Sequence, residues 1–365
     1  MSTPAELIRR EIAQRGAIPF ARFMELALYC PLCGYYEKKT DTPGRRGDYY
    51  TSVSVGPLFG QLLAFQFAAW LEPIRCADAR LLIVEAGAHD GRLARDILQW
   101  LRVHRAELLA RLEYRLIEPS PSRRARQRET LGEFTGTVRW ADDLAIGEPV
   151  CGVIFSNELL DAFPVHRLGW DARHRRWFEW GVTLCKGRFD WTRLDPSDAG
   201  RWIEEFFGPL PPELLDVLPD GFTTEVCPAA TDWWRRAAAS LKRGKLLTID
   251  YGLEAEEFLQ PARAAGTLRA YRRHQPAADP LAEPGEQDLT AHVNFTALRR
   301  AGELAGLKTE AFHTQAQFLT AIAERAWQPG RGFGRWTSAE TRQFQTLTHP
   351  EHLGRGFRVL IQSRD

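Results

Sequence analysis

At positions 84–91 the sequence reads Val84-Glu85-Ala86-Gly87-Ala88-His89-Asp90-Gly91, directly after the apolar run Leu81-Leu82-Ile83. Glycines at the end of a strand let the backbone turn sharply and approach a ligand, and the N-terminus of a following helix offers free N–H groups. A Gly-x-x-x-Gly spacing alone also serves ordinary turns. Glu85 sharpens the reading, because an acid ending an otherwise apolar strand is costly unless it has a partner. The ammonium of a bound ligand would be such a partner. Glu85, Gly87 and Gly91 are therefore candidate ligand-binding residues.

A second acid follows at the end of the next strand, in Leu116-Ile117-Glu118-Pro119, 27 residues beyond Gly91. An acid there is placed to accept the hydroxyls of a nucleoside ribose. The other reading of Glu118 is a helix N-terminal carboxylate facing solvent. Asp142-Asp143, after a strand at Val138–Trp140, sits where an adenine amino group would be met, and a turn explains the pair equally well. The third cluster is Phe155-Ser156-Asn157-Glu158-Leu159-Leu160-Asp161. It begins at the carboxyl end of a strand, where open α/β sheets place their ligands, and packs three nitrogen-recognising side chains (Asn157, Glu158, Asp161) into five positions.

The elements that must position these residues alternate. Strands are expected at Leu81–Val84, Tyr114–Ile117, Val138–Trp140 and Val150–Phe155, and helices at 92–103 and 121–131. Short, continuously apolar strands alternating with helices imply a Rossmann-like α/β core with a mostly parallel sheet. Upstream, Thr3-Pro4-Ala5-Glu6 reads as a capping box opening a helix over 4–15, a second helix covers 20–29, and Pro57 starts an apolar helix to Trp70. Trp177–Trp180 and Arg188–Trp191 flank Lys186-Gly187, the pattern of an antiparallel hairpin. Helix 229–242, strand Lys245–Ile249, helix 295–305 and strands near 308–312 and 357–362 complete the core. This gives an N-terminal helical segment over 1–75 and a core over 76–365, with insertions at 165–225 and 252–292.

The 365 residues suffice for an enlarged α/β domain, and 44% hydrophobic residues suffice for a core. A net charge of +1 gives no electrostatic case for nucleic acid or membrane partners, and no apolar run reaches the ~20 residues of a membrane span. The basic run Arg123-Arg124-Ala125-Arg126 reads as a solvated helix face. Cysteines 30, 33, 76, 151, 185 and 227 suggest no disulfide scaffold, so a reducing, cytoplasmic setting is expected. No metal is expected: Cys30-Pro31-Leu32-Cys33 has no further ligands at zinc spacing and reads as two structural thiols. Glu6 and Glu11 argue against a transit peptide. Oligomeric state is not legible.

Taken in order, several segments carry a resemblance over most of the chain. They are Gly34-Tyr35-Tyr36, Gly47-Asp48-Tyr49 with Thr51-Ser52, the Glu85–Gly91 loop with Asp96-Ile97-Leu98, and Asn157–Ala162. Further on come Glu225-Val226-Cys227-Pro228, Gly244 through Gly252, and Gln287–Asn294. The chain resembles the MidA-like family of class I methyltransferases, which includes the mitochondrial arginine methyltransferase that assists respiratory complex I assembly. The resemblance implies S-adenosylmethionine (SAM) as cofactor and an arginine of a protein, such as a respiratory-chain subunit, as acceptor. One departure stands out: relatives tend to read Glu-x-Gly-x-Gly-x-Gly, whereas this loop carries Ala88 and the bulkier His89.

An arginine acceptor would need its guanidinium plane fixed and its charge drawn off, a task suited to paired carboxylates. Glu158 and Asp161 are the candidates for that clamp, with Asn157 orienting one of them, and helix capping is the alternative reading. Asp250-Tyr251-Gly252, Asp288 and Asn294 are secondary candidates, and His292 could accept a proton near neutral pH or be structural. The tyrosine-bearing region Gly34–Ser52 could cover the cofactor as a lid or simply pack. Two rival functions share these features: a SAM-fold binding or assembly factor without turnover, and a nicotinamide-dependent oxidoreductase. The second would carry Gly-x-Gly-x-x-Gly, which this loop does not.

Overall fold

Among the described residues, seven of the main sheet's eight strands lie along one path: β1 (Leu81–Ala86), β2 (Leu112–Ile117), β3 (Val138–Ala141), β4 (Val150–Asn157), β5 (Leu241–Leu253), β6 (Lys308–Thr314) and β7 (Phe357–Arg364). All six residues of β1 and all eight of β4 are buried, so these strands are covered on both faces, as their unbroken apolar runs require. The strand order is β3-β2-β1-β4-β5-β7-β6. β3, β2, β1, β4 and β5 pair in parallel, and β7 pairs antiparallel with both β5 and β6. The sheet is therefore mostly parallel, as expected. Its order reverses between β1 and β4, and open sheets bind ligands at the carboxyl ends of the strands at such a point.

The computed structural model describes residues 3–31, 33–37, 51–75, 80–145, 149–194, 198–272, 275–328 and 333–365. The Gly47-Asp48-Tyr49 segment and most of the expected lid lie outside the described residues, as does Cys76.

Two units emerge. One comprises Tyr50–Leu159, Trp233–Tyr251 and Ala301–Asp365, and contains the sheet just described. The helix Arg92–His104 starts from Gly91 and buries Leu93, Ala94, Ile97, Leu98, Trp100 and Leu101, one stripe at helical spacing. The helix Leu58–Leu71 is apolar nearly all round and accordingly buried on nearly all sides, against Arg92–His104 and the helices Gln315–Ala326 and Ser338–Thr348.

The other unit comprises Met1–Tyr49, Leu160–Asp232 and Gly252–Arg300. Thr3 and Glu6 form the expected capping box at the start of the helix Pro4–Arg15, and the helix Phe20–Tyr29 follows. The expected hairpin is present as Arg176–Cys185 and Arg188–Leu194, turning through Lys186 and Gly187, both at positive φ. It belongs to a larger antiparallel sheet with His166–Asp171 and Thr223–Val226. The segment expected as an insertion over 252–292 makes a small sheet of its own from Arg269–Arg272, Gln275–Pro276 and Asp288–Thr290.

Among the described residues, no helix is long and apolar enough to cross a membrane, and no group of three His, Cys, Asp or Glu side chains could hold a metal ion.

Candidate active site

The carboxyl ends of β1, β2 and β4 collect Glu85, Gly87, Gly91, Glu118, Asn157 and Glu158 in one unit. Glu85 is the last-but-one residue of β1 and is buried. The sequence suggests only a ligand as its partner; the structure supplies a protein one, since the Tyr114 hydroxyl donates to Glu85 Oε2 at 2.5 Å. Burial pushes the Glu85 carboxyl up to about 8, with Tyr114 pulling it back in part and Asp90 adding to the rise. Near neutral pH this acid is mostly protonated, ready to ionise when a cation is placed against it.

The loop that follows turns through Gly87 at φ +76° and Gly91 at φ +85°. A Cβ at Gly87 would sit 2.9 Å from Leu159 Cδ1, so a side chain there would be both strained and crowded. His89 also takes a positive φ, +47°, which a non-glycine residue adopts at a cost. Arg92 donates from its backbone N–H and its Nε to the Asp90 carboxylate. Burial alone would raise the Asp90 carboxyl, but His89 and Arg92 outweigh it and hold the group down at about 2.

Glu118 is buried just beyond β2. Its Oε1 accepts from the Ser120 N–H at 3.0 Å and its Oε2 from Gln127 Nε2 at 3.1 Å. This is a fixed, interior carboxylate, so the solvent-facing reading does not hold. Gln127, also fully buried, was not singled out from sequence. Its Nε2 donates in addition to the His89 carbonyl at 3.0 Å, and its Oε1 accepts from Trp140 Nε1 at 2.9 Å. One amide thus joins the glycine loop, the β2 acid and β3.

The Asp142-Asp143 pair is exposed. Asp143 Oδ1 accepts from the Ala145 N–H at 2.8 Å, which is a local turn bond, and Asp142 pairs with Arg124. Arg124 Nε also donates to the Glu118 carbonyl at 2.5 Å, so this member of the basic run is tied down rather than merely solvated.

At the end of β4, Glu158 takes φ +53°, a left-handed conformation unusual for glutamate and common where a site dictates the backbone. Its Oε1 accepts from Asn157 Nδ2 at 3.1 Å and from the Ser52 N–H at 3.0 Å. Asn157 Oδ1 is buried and has no hydrogen-bond partner among the described residues. Asp250, at β5, is fully buried, and accepts from the Leu159 and Tyr251 N–H groups. It holds the turn after β4 in place, a positioning task.

The remaining candidates belong to the other unit. Asp161 lies in the short 3-10 turn Leu160–Ala162, and its carbonyl accepts from the Ala291 N–H at 2.9 Å. Tyr29 donates to the Ala162 carbonyl at 2.8 Å, and Tyr36 to Asp288 Oδ1 at 2.6 Å. The His292 N–H donates to Thr267 Oγ1, whose hydroxyl and backbone N–H donate to buried Glu225. Burial, then Arg269 and Arg263, push the His292 imidazole down to about 4, so it stays neutral near pH 7 instead of titrating there as expected. Asn294 caps the helix Phe295–Leu304 by accepting from the Ala297 N–H at 3.0 Å, which makes it structural.

Several of these observations fit a nucleoside-linked amino acid such as SAM. They are a buried acid beside a glycine turn, an interior carboxylate at the next strand end, and an orphaned buried acceptor at Asn157. They lie at the carboxyl ends of three neighbouring strands, β2, β1 and β4, which include the point where the strand order reverses. Fold and site together define a class I SAM-dependent methyltransferase with a Rossmann-like core.

Comparisons with known proteins agree. The family described as "Putative S-adenosyl-L-methionine-dependent methyltransferase" matches residues 62–313, and the chain belongs to it. A solved structure from Burkholderia thailandensis, described as a "likely methyl transferase" bound to S-adenosyl-homocysteine (SAH), is 34% identical. It superimposes with a TM-score of 0.84 over 99% of this chain and 92% of that one. The Drosophila melanogaster protein named mitochondrial protein arginine methyltransferase NDUFAF7 homolog is 28% identical, over 83% of this chain and 70% of its own. The Homo sapiens protein arginine methyltransferase NDUFAF7 is 26% identical over the same shares. The MidA-like resemblance and SAM as cofactor are thereby borne out.

Proposed function

We propose that the chain transfers a methyl group from SAM to an arginine nitrogen of a protein, with a respiratory-chain subunit as the acceptor class that the family resemblance implies. The supporting observation is the end of β4, where Glu158 is held at φ +53° with its carboxylate between Asn157 Nδ2 and the Ser52 N–H. The names of relatives at 26–28% identity point the same way.

When bound, SAM supplies an electrophilic methyl group on a sulfonium. In this reading Gly87 and Gly91 shape the loop that receives it, Glu85 and Asn157 Oδ1 meet its ammonium, and Glu118 takes the ribose hydroxyls. Asp142 and Asp143 are left with the adenine edge or with the turn and ion pair they already make. Glu158, an anion at the carboxyl end of β4, would fix one edge of a guanidinium and stabilise the charge as its nitrogen is alkylated. A guanidinium keeps its proton at any ordinary pH, so orientation and charge stabilisation are the tasks left to the protein. Asp161 is the second carboxylate in this proposal, and neutral His292 is a candidate hydrogen-bonding group.

His89, strained at φ +47° in the loop, favours a second reading: a SAM-binding assembly factor without turnover. One experiment separates the two. The protein is incubated with methyl-labelled SAM and a respiratory-chain fraction, and labelled protein is hydrolysed to amino acids. Label in methylarginine is the expected result. Label in another residue or a small molecule would overturn the arginine acceptor. Tight SAH binding with no label anywhere would favour the assembly factor.

A further inference from the structure

The helix Phe20–Tyr29 ends at Cys30, and the chain then folds back on it: the Cys33 and Gly34 N–H groups both donate to the Cys30 carbonyl, at 3.2 and 2.7 Å. Gly34 packs so closely that a Cβ there would lie 2.5 Å from the Leu28 carbonyl oxygen. This turn brings Cys30 Sγ to 2.6 Å from Cys33 Sγ, about half an ångström beyond the length of a disulfide bond. Cys30 is buried, whereas Cys33 is half-buried and reaches solvent. Two structural thiols need only apolar neighbours; these two face each other.

We propose that Cys30 and Cys33 form a reversible dithiol–disulfide site, in which Cys33 reacts with small-molecule disulfides and Cys30 closes the bond. In the first step the Cys33 thiolate attacks one sulfur of a disulfide such as oxidised glutathione, releasing one thiolate and leaving a mixed disulfide on Cys33. In the second the Cys30 sulfur, having lost its proton to solvent, attacks Cys33 Sγ and expels the second small thiolate. Two protein thiols are oxidised and one small-molecule disulfide is reduced to two thiols, so atoms and electrons balance. The division of labour follows exposure. Burial, then the contact with Cys33, push the Cys30 thiol up to about 12, so Cys30 is not the entry point; its part in the closing step follows from its 2.6 Å contact with Cys33 Sγ.

The consequence is local. The turn separates Tyr29, which holds the Ala162 carbonyl, from Tyr36, which holds Asp288. A disulfide would fix the spacing between these two anchors. Whether that touches an acceptor rests on the proposed function, but the chemistry at the sulfurs does not.

The test uses the full chain, equilibrated across ratios of reduced to oxidised glutathione, quenched with acid, alkylated and mapped by peptide mass spectrometry. The exposed Cys185 is an internal control, since a lone surface thiol stops at the mixed disulfide. The expected result is a Cys30–Cys33 linked peptide that grows as the ratio becomes oxidising and disappears on return to reduced glutathione. Cys30→Ser should leave glutathione on Cys33, and Cys33→Ser should leave Cys30 unmodified. Independent alkylation of Cys30 and Cys33 at a ratio where Cys185 already carries glutathione would overturn the proposal. So would glutathione remaining on Cys33 in the unmutated protein.

Discussion

Gln127 Nε2 lies 3.1 Å from Glu118 Oε2 and donates to it, and the same nitrogen donates to the His89 carbonyl at 3.0 Å. The proposed ribose carboxylate and the glycine loop are therefore held at a fixed separation by one buried amide. Replacing it with Gln127→Leu removes three interior hydrogen bonds, to the His89 carbonyl, to Glu118 Oε2 and from Trp140 Nε1. Each such loss costs about 1–3 kcal/mol. We expect SAH affinity to fall by about tenfold or more in a protein that still folds, read by calorimetric titration. Gln127→Glu should do worse near neutral pH, where it sets a second carboxylate beside Glu118, and should recover in part on acidification. SAH affinity unchanged in folded Gln127→Leu would remove Gln127 from the site.

Glu85 gives a pH signature. Its carboxyl sits near pH 8 in the folded protein against an ordinary 4.5, so between these values the folded state holds a proton that the unfolded state has lost. Stability from this group is therefore full below pH 4.5 and declines as pH rises to about 8, by about 1.4 kcal/mol per pH unit at most. Glu85→Gln removes the effect. Its melting temperature relative to the unmutated protein should climb between pH 5 and pH 8, while its affinity for SAM drops through loss of the anionic partner. A constant offset in melting temperature across that range would mean that Glu85 does not titrate there.

The loop glycine can be tested in a similar way. Gly87→Ala forces a residue with a side chain to φ +76° and drives its Cβ to 2.9 Å from Leu159 Cδ1. Backbone strain of this kind costs on the order of 1–2 kcal/mol, and the crowding adds to it. Adding Leu159→Ala should relieve the crowding but not the strain, so SAM binding should recover only in part. Full recovery would show that φ at Gly87 is not under constraint.

The positions gathered in the candidate site were legible where its parts are local. Continuous apolar runs announce β1 and β4, and an acid at the end of such a run is conspicuous, so Glu85, Glu118 and the Asn157-Glu158 pair could be read from the chain itself. Their partners could not. Tyr114 reaches Glu85 across 29 positions and Ser52 reaches Glu158 across 106, distances that no local pattern encodes. Gln127 looks like one more polar residue on a basic helix until the fold buries it. The helices Gln315–Ala326 and Ser338–Thr348 went unread although each carries a capping box, Thr314 with Gln317 and Thr337 with Glu340, which was the signal available. The hairpin was read, but its sheet partners, His166–Asp171 and Thr223–Val226, are separated from each other by more than fifty residues.

The acceptor carboxylates are tested by separating binding from turnover. Glu158→Gln keeps an oxygen for Ser52 and Asn157 to bond but removes the negative charge, so the β4 end should hold its shape. Asp161→Asn likewise preserves size, and its carbonyl bond to Ala291 is backbone. Each variant should keep SAH affinity within about twofold while methyl transfer to the protein acceptor slows by about a hundredfold, the scale of losing one charge-stabilising contact in a transition state. Comparing the SAH dissociation constant with kcat for each variant decides the roles. A fall in both together would place the residue with the cofactor, and undiminished kcat would take it out of the acceptor clamp.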